Sequence, residues 1–312
     1  MAQIFIPKRW RRIPEREATP EQVYWNRRKF LAAAGATAAF ELLPWPLKGA
    51  AEPLAQRNQK YKLERPVTAE ESVTSYNNFI EFSDQKDAVG QLASGFKTDP
   101  WTITVFGLVG KPQTLDVKQL IRKMPMEERL YRHRCVEGWA MAVPWTGFPL
   151  AELIKSVQPK ASARFVRFRS FYRPDEAPGQ RKLTSYPWPF NDSLTLAEAT
   201  NELAFLVTGM YGHELAIQNG APMRLVAPWK YGFKSVKSIV GIEFLESLPT
   251  KNLTYWHDVV SHEHDFSANV DPEEVHPRWS QKTEKVLGTW QVRPTQLYNG
   301  YGEFVAHLYA KR

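Results

Sequence analysis

The regular segments of this 312-residue chain are short, and 23 prolines break them up. Residues 101–109 alternate apolar and polar side chains and are β-branched, which predicts a strand. Residues 129–136, 163–171, 203–207, 223–227, 236–245 and 304–309 read as further strands. Residues 114–122, 148–157 and 196–201 read as short helices. Thr114 is the expected N-cap of the first, and Pro149 suits the first turn of the second. Residues 172–192 read as a Pro-rich loop, and 248–293 carry few regular signals. Short strands, short helices and long loops together predict an α+β or mainly-β fold. No internal repeat and no Pro/Gly/Ser-rich linker divides residues 52–312, which read as one domain.

The formal net charge of +8 invites a nucleic-acid partner. Residues 1–51, however, hold nine basic and four acidic side chains, so most of the excess is N-terminal and no nucleic acid is expected. That segment contains Asn26-Arg27-Arg28-Lys29-Phe30-Leu31, then a short Ala-rich apolar run, then Gly49, Ala50 and Ala51. The run is about ten residues, and a spanning helix needs roughly 20. A charged start, a short apolar stretch and small residues are the pattern of a cleaved export signal, and the paired arginines resemble its twin-arginine form. The expectation is a periplasmic protein, exported folded, with a cofactor inserted beforehand.

Cys135 is the only cysteine, so no internal disulfide forms. A lone cysteine is either an inert buried residue or a reactive thiol. Arg132, His133 and Arg134 precede it, and nearby cations favour the thiolate, which ligates soft or redox-active metals. The stretch Arg132-His-Arg-Cys-Val-Glu-Gly-Trp139, followed by Val143-Pro-Trp-Thr-Gly-Phe-Pro-Leu150, resembles the cysteine loop of sulfite-oxidase-type molybdenum enzymes. Tyr76-Asn-Asn-Phe-Ile-Glu-Phe82, the stretch Gln218 to Ile239, His276-Pro-Arg-Trp-Ser-Gln281 and Asn299-Gly-Tyr301 resemble one branch of that family, the catalytic subunits of periplasmic protein-methionine-sulfoxide reductases. The resemblance covers roughly residues 65–312.

The resemblance implies a sulfite-oxidase-type molybdopterin-binding fold and a molybdenum–molybdopterin cofactor with one pyranopterin. It makes Cys135 the metal-ligating, catalytic thiolate. It makes Asn77, Ile80, Glu81, Ser170, Asn219, Arg224, Ser235, Val236 and Lys237 cofactor-binding. At Ile80 the pattern has Tyr and at Ser170 it has Thr. A backbone contact survives the first change, and a hydroxyl survives the second. The implied activity is reduction of methionine sulfoxide in oxidised periplasmic proteins, with electrons from a membrane haem b subunit in a heterodimer. The alternatives are a sulfite dehydrogenase of the same fold and a cofactor-free binding module. The sequence holds no haem-attachment motif and no cysteine cluster, so a partner must supply electrons. No Gly-rich dinucleotide fingerprint follows a strand. His262 and His264 read as an exposed loop. Trp139, Trp145, Trp188 and Trp229 read mostly as core. Glu137 reads either as a proton carrier beside the metal or as a structural acceptor.

Overall fold

Period-two burial builds the first sheet. β1 (Thr102–Gly107) buries Ile103 and Val105, β2 is Gln113–Asp116, and β5 (Phe165–Ser170) buries Val166, Phe168 and Ser170. With β6 (Asn191–Thr195) and β10 (Ile239–Leu245) they form a five-stranded sheet in the order β2-β1-β10-β5-β6. Its one parallel pair is β1 with β10. The second sheet is built on β4 (Trp139–Pro149), which is buried at every position but its last. β3 (Glu127–Arg134) runs antiparallel along one side of β4. On the other side, β11 (Thr283–Val286) pairs parallel with its start and β7 (Phe205–Met210) antiparallel with its end. β8 (His213–Glu214), β9 (Arg224–Val226) and β12 (Val292–Pro294) complete the seven strands. The computed structural model describes residues 55–249, 254–260, 263 and 265–310. All of them lie in one of two compact units, Ala51–Arg312. The export signal, His262 and His264 fall outside the described residues.

The helices are short and peripheral to the sheets: α1 (Glu70–Ser75), α2 (Val89–Ala93), α3 (Val117–Ile121), α4 (Leu150–Val157), α5 (Pro178–Lys182), α6 (Leu196–Ala199), α7 (Tyr255–Val260) and α8 (Gly302–Tyr309). This is the expected mix of sheets with few helices. Several local readings are corrected. Residues 304–309 are helix α8, not a strand. Phe304, Val305, Leu308 and Tyr309 repeat at helical spacing and pack on the core. Thr114 lies in β2, and the cap of α3 is Asp116, whose carboxylate accepts from Gln119 N at 2.9 Å. The loop at 172–192 contains α5, and 248–293 contain α7, β11 and the start of β12. β4 escaped the pattern because a strand buried on both faces does not alternate.

Two buried lysines lock the second half of the chain. Lys230 Nζ lies 2.5 Å from Glu198 Oε1 and also donates to Ser267 O at 2.7 Å and Asn269 Oδ1 at 3.1 Å. Lys234 Nζ lies 2.5 Å from Asp192 Oδ1 and 3.0 Å from Phe266 O. Tyr309 OH donates to Glu198 at 2.5 Å, which ties α8 to α6. Burial pulls Lys230 down to about 8. Burial alone would raise Glu198, but the adjacent lysine holds it below its ordinary value. Removing one partner leaves the other charge buried and unpaired. Lys230→Met should therefore lower unfolding free energy by about 3–5 kcal/mol, read from urea denaturation. A loss below about 1 kcal/mol would show that the pair contributes little.

Candidate functional site

Cys135 sits in the turn between β3 and β4. Its N–H donates to Trp139 O at 2.9 Å, Gly138 N–H donates back to Cys135 O at 3.0 Å, and Gly138 takes a left-handed φ of +83°. Sγ accepts from Asn78 Nδ2 at 3.2 Å and from Glu137 N–H at 3.4 Å. His133, two residues back along β3, falls on the same side of the strand. Both line a cavity of about 300 Å³.

Of the expected cations Arg134 does favour the thiolate, but burial outweighs it. Arg134 is fully buried; it donates to Cys135 O and to Thr283 O, and Glu284 lies 3.4 Å away. Arg132 donates to Gln296. His133 is held well below the ordinary histidine range by burial, with Arg224 and Lys237 adding to the effect, and so is neutral. Burial therefore dominates, reinforced by Glu137, and pushes the Cys135 thiol up to about 12. The sequence reading of a cation-stabilised thiolate is corrected for the protein by itself: burial keeps the proton on sulfur.

The segment after α1 carries the next group. Phe79 and Phe82 plug it into an aromatic cluster with Phe96, Trp101 and Phe171, with ring centroids 4.3–6.3 Å apart. With those rings anchored, Asn77, Asn78, Ile80 and Glu81 line the cavity. α5 presses on the same segment from outside. A Cβ on Gly179 would stand 2.0 Å from Ile80 O, and Gln180 N–H donates to Glu81 O at 3.0 Å.

The third group comes from the turns around β9. Asn219 Nδ2 donates to Asn77 Oδ1 at 2.9 Å and to Val73 O at 3.0 Å. Arg224 donates to Asn219 O at 2.8 Å and to Ser235 O at 3.3 Å. Lys237 donates to Asn78 O. Gly220 has φ +107°, and a Cβ there would lie 2.8 Å from the Lys237 side chain. Only glycine fits that turn.

The cavity thus gathers Asn77, Ile80, Glu81, Cys135, Asn219, Arg224, Ser235 and Lys237. Ser170 and Val236 are buried but do not line it. Ser170 Oγ donates to Lys237 O at 2.9 Å, and Val236 O accepts from Leu225 N–H at 2.9 Å. Both hold the strands that carry the wall. Sequence reasoning missed His133 as a cavity residue, although period two along a strand ending at Cys135 carries that signal. It singled out Asn77 but not Asn78. It also missed the largely apolar part of the lining, Tyr186, Phe190, Trp256, Val259 and Trp279, and Arg278, which is paired with Glu263 at 2.5 Å. Those residues come from segments without periodic pattern. Of the four tryptophans, Trp139 lines the cavity, while Trp145 and Trp229 are fully buried and Trp188 is half-buried.

The electrostatics ask for an anion. Burial lowers Arg224 to about 9. It also lowers Lys237, with Arg224 adding to the effect, and it raises Glu81. Buried cations that disfavour their own charge are stabilised when a phosphate enters. Asn219 Oδ1 and Trp139 Nε1 are buried without a hydrogen-bond partner, so this wall holds both an acceptor and a donor for a ligand.

The family model described as "Oxidoreductase molybdopterin binding domain" matches residues 90–253, just over half of the chain. Among solved structures, the chain is similar to the sulfane dehydrogenase SoxCD from Paracoccus pantotrophus, at 15% identity and a TM-score of 0.42. The match covers 67% of this chain and spans 55% of the length of that one.

The depressed Lys237 has a measurable consequence in protein prepared without its ligand. A lysine whose folded value is lowered from 10.5 binds fewer protons folded than unfolded, so stability rises with pH above the folded value. The rise is clearest from neutrality to about pH 9, above which Cys135 acts in the opposite sense. The urea midpoint should climb across that window, and Lys237→Met should flatten the climb. A flat profile for the unmodified protein would contradict the assignment.

Proposed function

The chain belongs to the family of oxidoreductases with a molybdopterin-binding domain, and on that premise we propose that it reduces methionine sulfoxide residues in oxidised periplasmic proteins. Its cofactor is a molybdenum–molybdopterin, and the cavity fits one. The single thiol suits a metal that takes its other sulfurs from the pterin dithiolene. Arg224 and Lys237 suit the phosphate, and the unpaired Asn219 Oδ1 and Trp139 Nε1 suit a polar pterin. Cys135 would hold the metal, and Asn77, Glu81 and Ser235 would line the bound group.

When bound, the cofactor supplies two-electron oxygen-atom transfer. The residues of the chain provide the surroundings. Asn78 and the Glu137 N–H aim hydrogen bonds at the Cys135 sulfur and tune its donor strength. Glu137 keeps a carboxylate beside that sulfur, held by Lys86 at 2.9 Å and Asn78 at 3.3 Å, where it can pass protons. The net change is sulfoxide plus two electrons and two protons to thioether plus water.

The apolar part of the lining carries the choice of substrate. Tyr186, Phe190, Trp256, Val259 and Trp279 suit an uncharged side chain ending in a methyl group. A sulfite dianion would seek cations there, and Arg278 is already paired with Glu263. The order of motifs along the sequence supports the same reading. A membrane haem b subunit is the proposed electron donor, forming a heterodimer, and the leader would deliver the folded protein to the periplasm by the twin-arginine route.

Purified protein carrying about one molybdenum per chain should reduce both free and protein-bound methionine sulfoxide with reduced methyl viologen. Sulfite oxidation without sulfoxide reduction would reject the proposal. Cys135→Ser should lower turnover by about a thousandfold or more, comparable to loss of a key catalytic group; near-normal turnover would remove its role. Gly220→Ala, which drives a methyl group into Lys237, should weaken cofactor retention by about 10–100-fold, read as molybdenum per chain.

A further inference from the structure

The sequence holds no haem-attachment motif and no cysteine cluster, so electrons must pass from a partner at the surface to the cofactor. One line of aromatic rings makes that crossing. Trp290, at the tip of the β11–β12 hairpin, is 48% exposed. Its ring meets Tyr76 edge-to-face at 5.5 Å and 83°. Tyr76 meets Trp139 at 5.4 Å and 79°. Trp139 lines the cavity, and its carbonyl accepts the Cys135 N–H at 2.9 Å. Surface and cavity are thus joined through a single intermediate ring, in contact geometry typical of paired aromatics.

The hairpin is tightly held. Trp290 N–H donates to Val286 O at 2.6 Å, and Val286 N–H to Gln291 O at 2.9 Å. A Cβ on Gly288 would lie 2.7 Å from Ser72 Oγ, so the tip packs on α1. Lys285 N–H donates to Gly138 O and Leu287 N–H to Ala140 O, both at 2.8 Å, which bonds the hairpin to the strand bearing Trp139. Trp290 nevertheless sits at φ +57°, where a bulky side chain is rare and costs of order 1–3 kcal/mol. A strained, exposed tryptophan on a fixed tip is the kind of feature that function maintains.

The hairpin and the residue before it carry three cations, while exposed Glu70 and Glu71 lie on α1, where the tip packs. Lys282 and Lys285 are exposed and Arg293 is half-buried, while the hairpin's one carboxylate, Glu284, is turned inward to Arg65 at 2.8 Å. Val292, 58% exposed, extends the apolar centre. An apolar patch flanked by cations on its hairpin side complements a partner whose own apolar patch is flanked by carboxylates.

We propose that the β11–β12 hairpin is the docking face for an acidic electron-donating protein, and that Trp290, Tyr76 and Trp139 form the path by which its electrons reach the cofactor. The rings conduct without being oxidised. Each contact with a one-electron donor delivers one electron, and two deliveries, with two protons from solvent, balance one sulfoxide reduced to thioether and water. This rests on the proposed reductive reading only for the direction of flow.

The path is read without turnover. Gln291→Cys presents the one exposed thiol for a ruthenium photosensitiser, since Cys135 is buried. On the molybdenum-loaded protein, flash photolysis should then reduce the metal without substrate. Adding Trp290→Leu should slow that reduction at least tenfold, and Trp290→Phe should restore it to within threefold. An unchanged rate in the leucine variant overturns the path. Docking is read with flavodoxin hydroquinone, an acidic one-electron donor, and with reduced methyl viologen as a partner-independent donor. The double variant Lys282→Glu/Lys285→Glu should raise KM for flavodoxin at least tenfold and leave turnover with the viologen unchanged. Equal KM values, or no saturable flavodoxin rate in the unmodified protein, overturn the docking face. If the loaded protein reduces no sulfoxide with viologen, the functional reading fails, while the flash rates still decide the path.

Discussion

A guanidinium that is 2% exposed needs acceptors held in fixed places, and Arg224 finds them in carbonyls from separate turns. It donates to Asn219 O, Leu225 O and Ser235 O, and the Trp145 ring lies 5.3 Å from it. Asn219 in turn grips Asn77 and the end of α1. One buried cation therefore sets the spacing of the turns at Asn219 and Ser235 and, through Asn219, of the distant segment around Asn77. Burial lowers its value to about 9, so the arrangement is costly until an anion shares the charge. The same residue holds the cavity's shape and creates its demand for a ligand.

The cysteine shows the opposite balance. Its neighbours in sequence are cations, yet their charges are engaged elsewhere, and burial leaves the thiol protonated. A metal bound there, as proposed, would displace that proton, so loading and deprotonation would be a single event. The hydrogen bonds from Asn78 and Glu137 N–H are already aimed at sulfur before any metal arrives. The site is preorganised around a ligand atom that stays unreactive until the cofactor is in place.

Much of this was legible in the sequence where pattern and geometry share a cause. Strands β1, β5 and β10 alternate because one face is buried, and period-two reading finds them. β4 was invisible because both its faces are buried, and α8 was misread because six residues cannot separate period two from 3.6 when Phe304 and Val305 are adjacent. Proximity in sequence misled at Arg132 and Arg134, since direction along β3, not distance along the chain, decides which side chains meet Cys135. The aromatic wall at Trp256 and Trp279 carries no local pattern, because long connections assemble it.

Lys230, Lys234 and Lys237 make an internal comparison within eight residues. The first two are fully buried, and Lys237 is half-buried in the cavity lining. The first two each hold a carboxylate at 2.5 Å, as burial of a charge requires. Lys237 instead reaches a backbone carbonyl, Asn78 O, and Glu81 draws its value upward without overcoming burial. Two lysines are thus neutralised within the protein, whereas the third faces the cavity with its charge uncompensated. A fold that pairs lysines with carboxylates twice in one turn of chain leaves the third facing the cavity, where it can meet an anion.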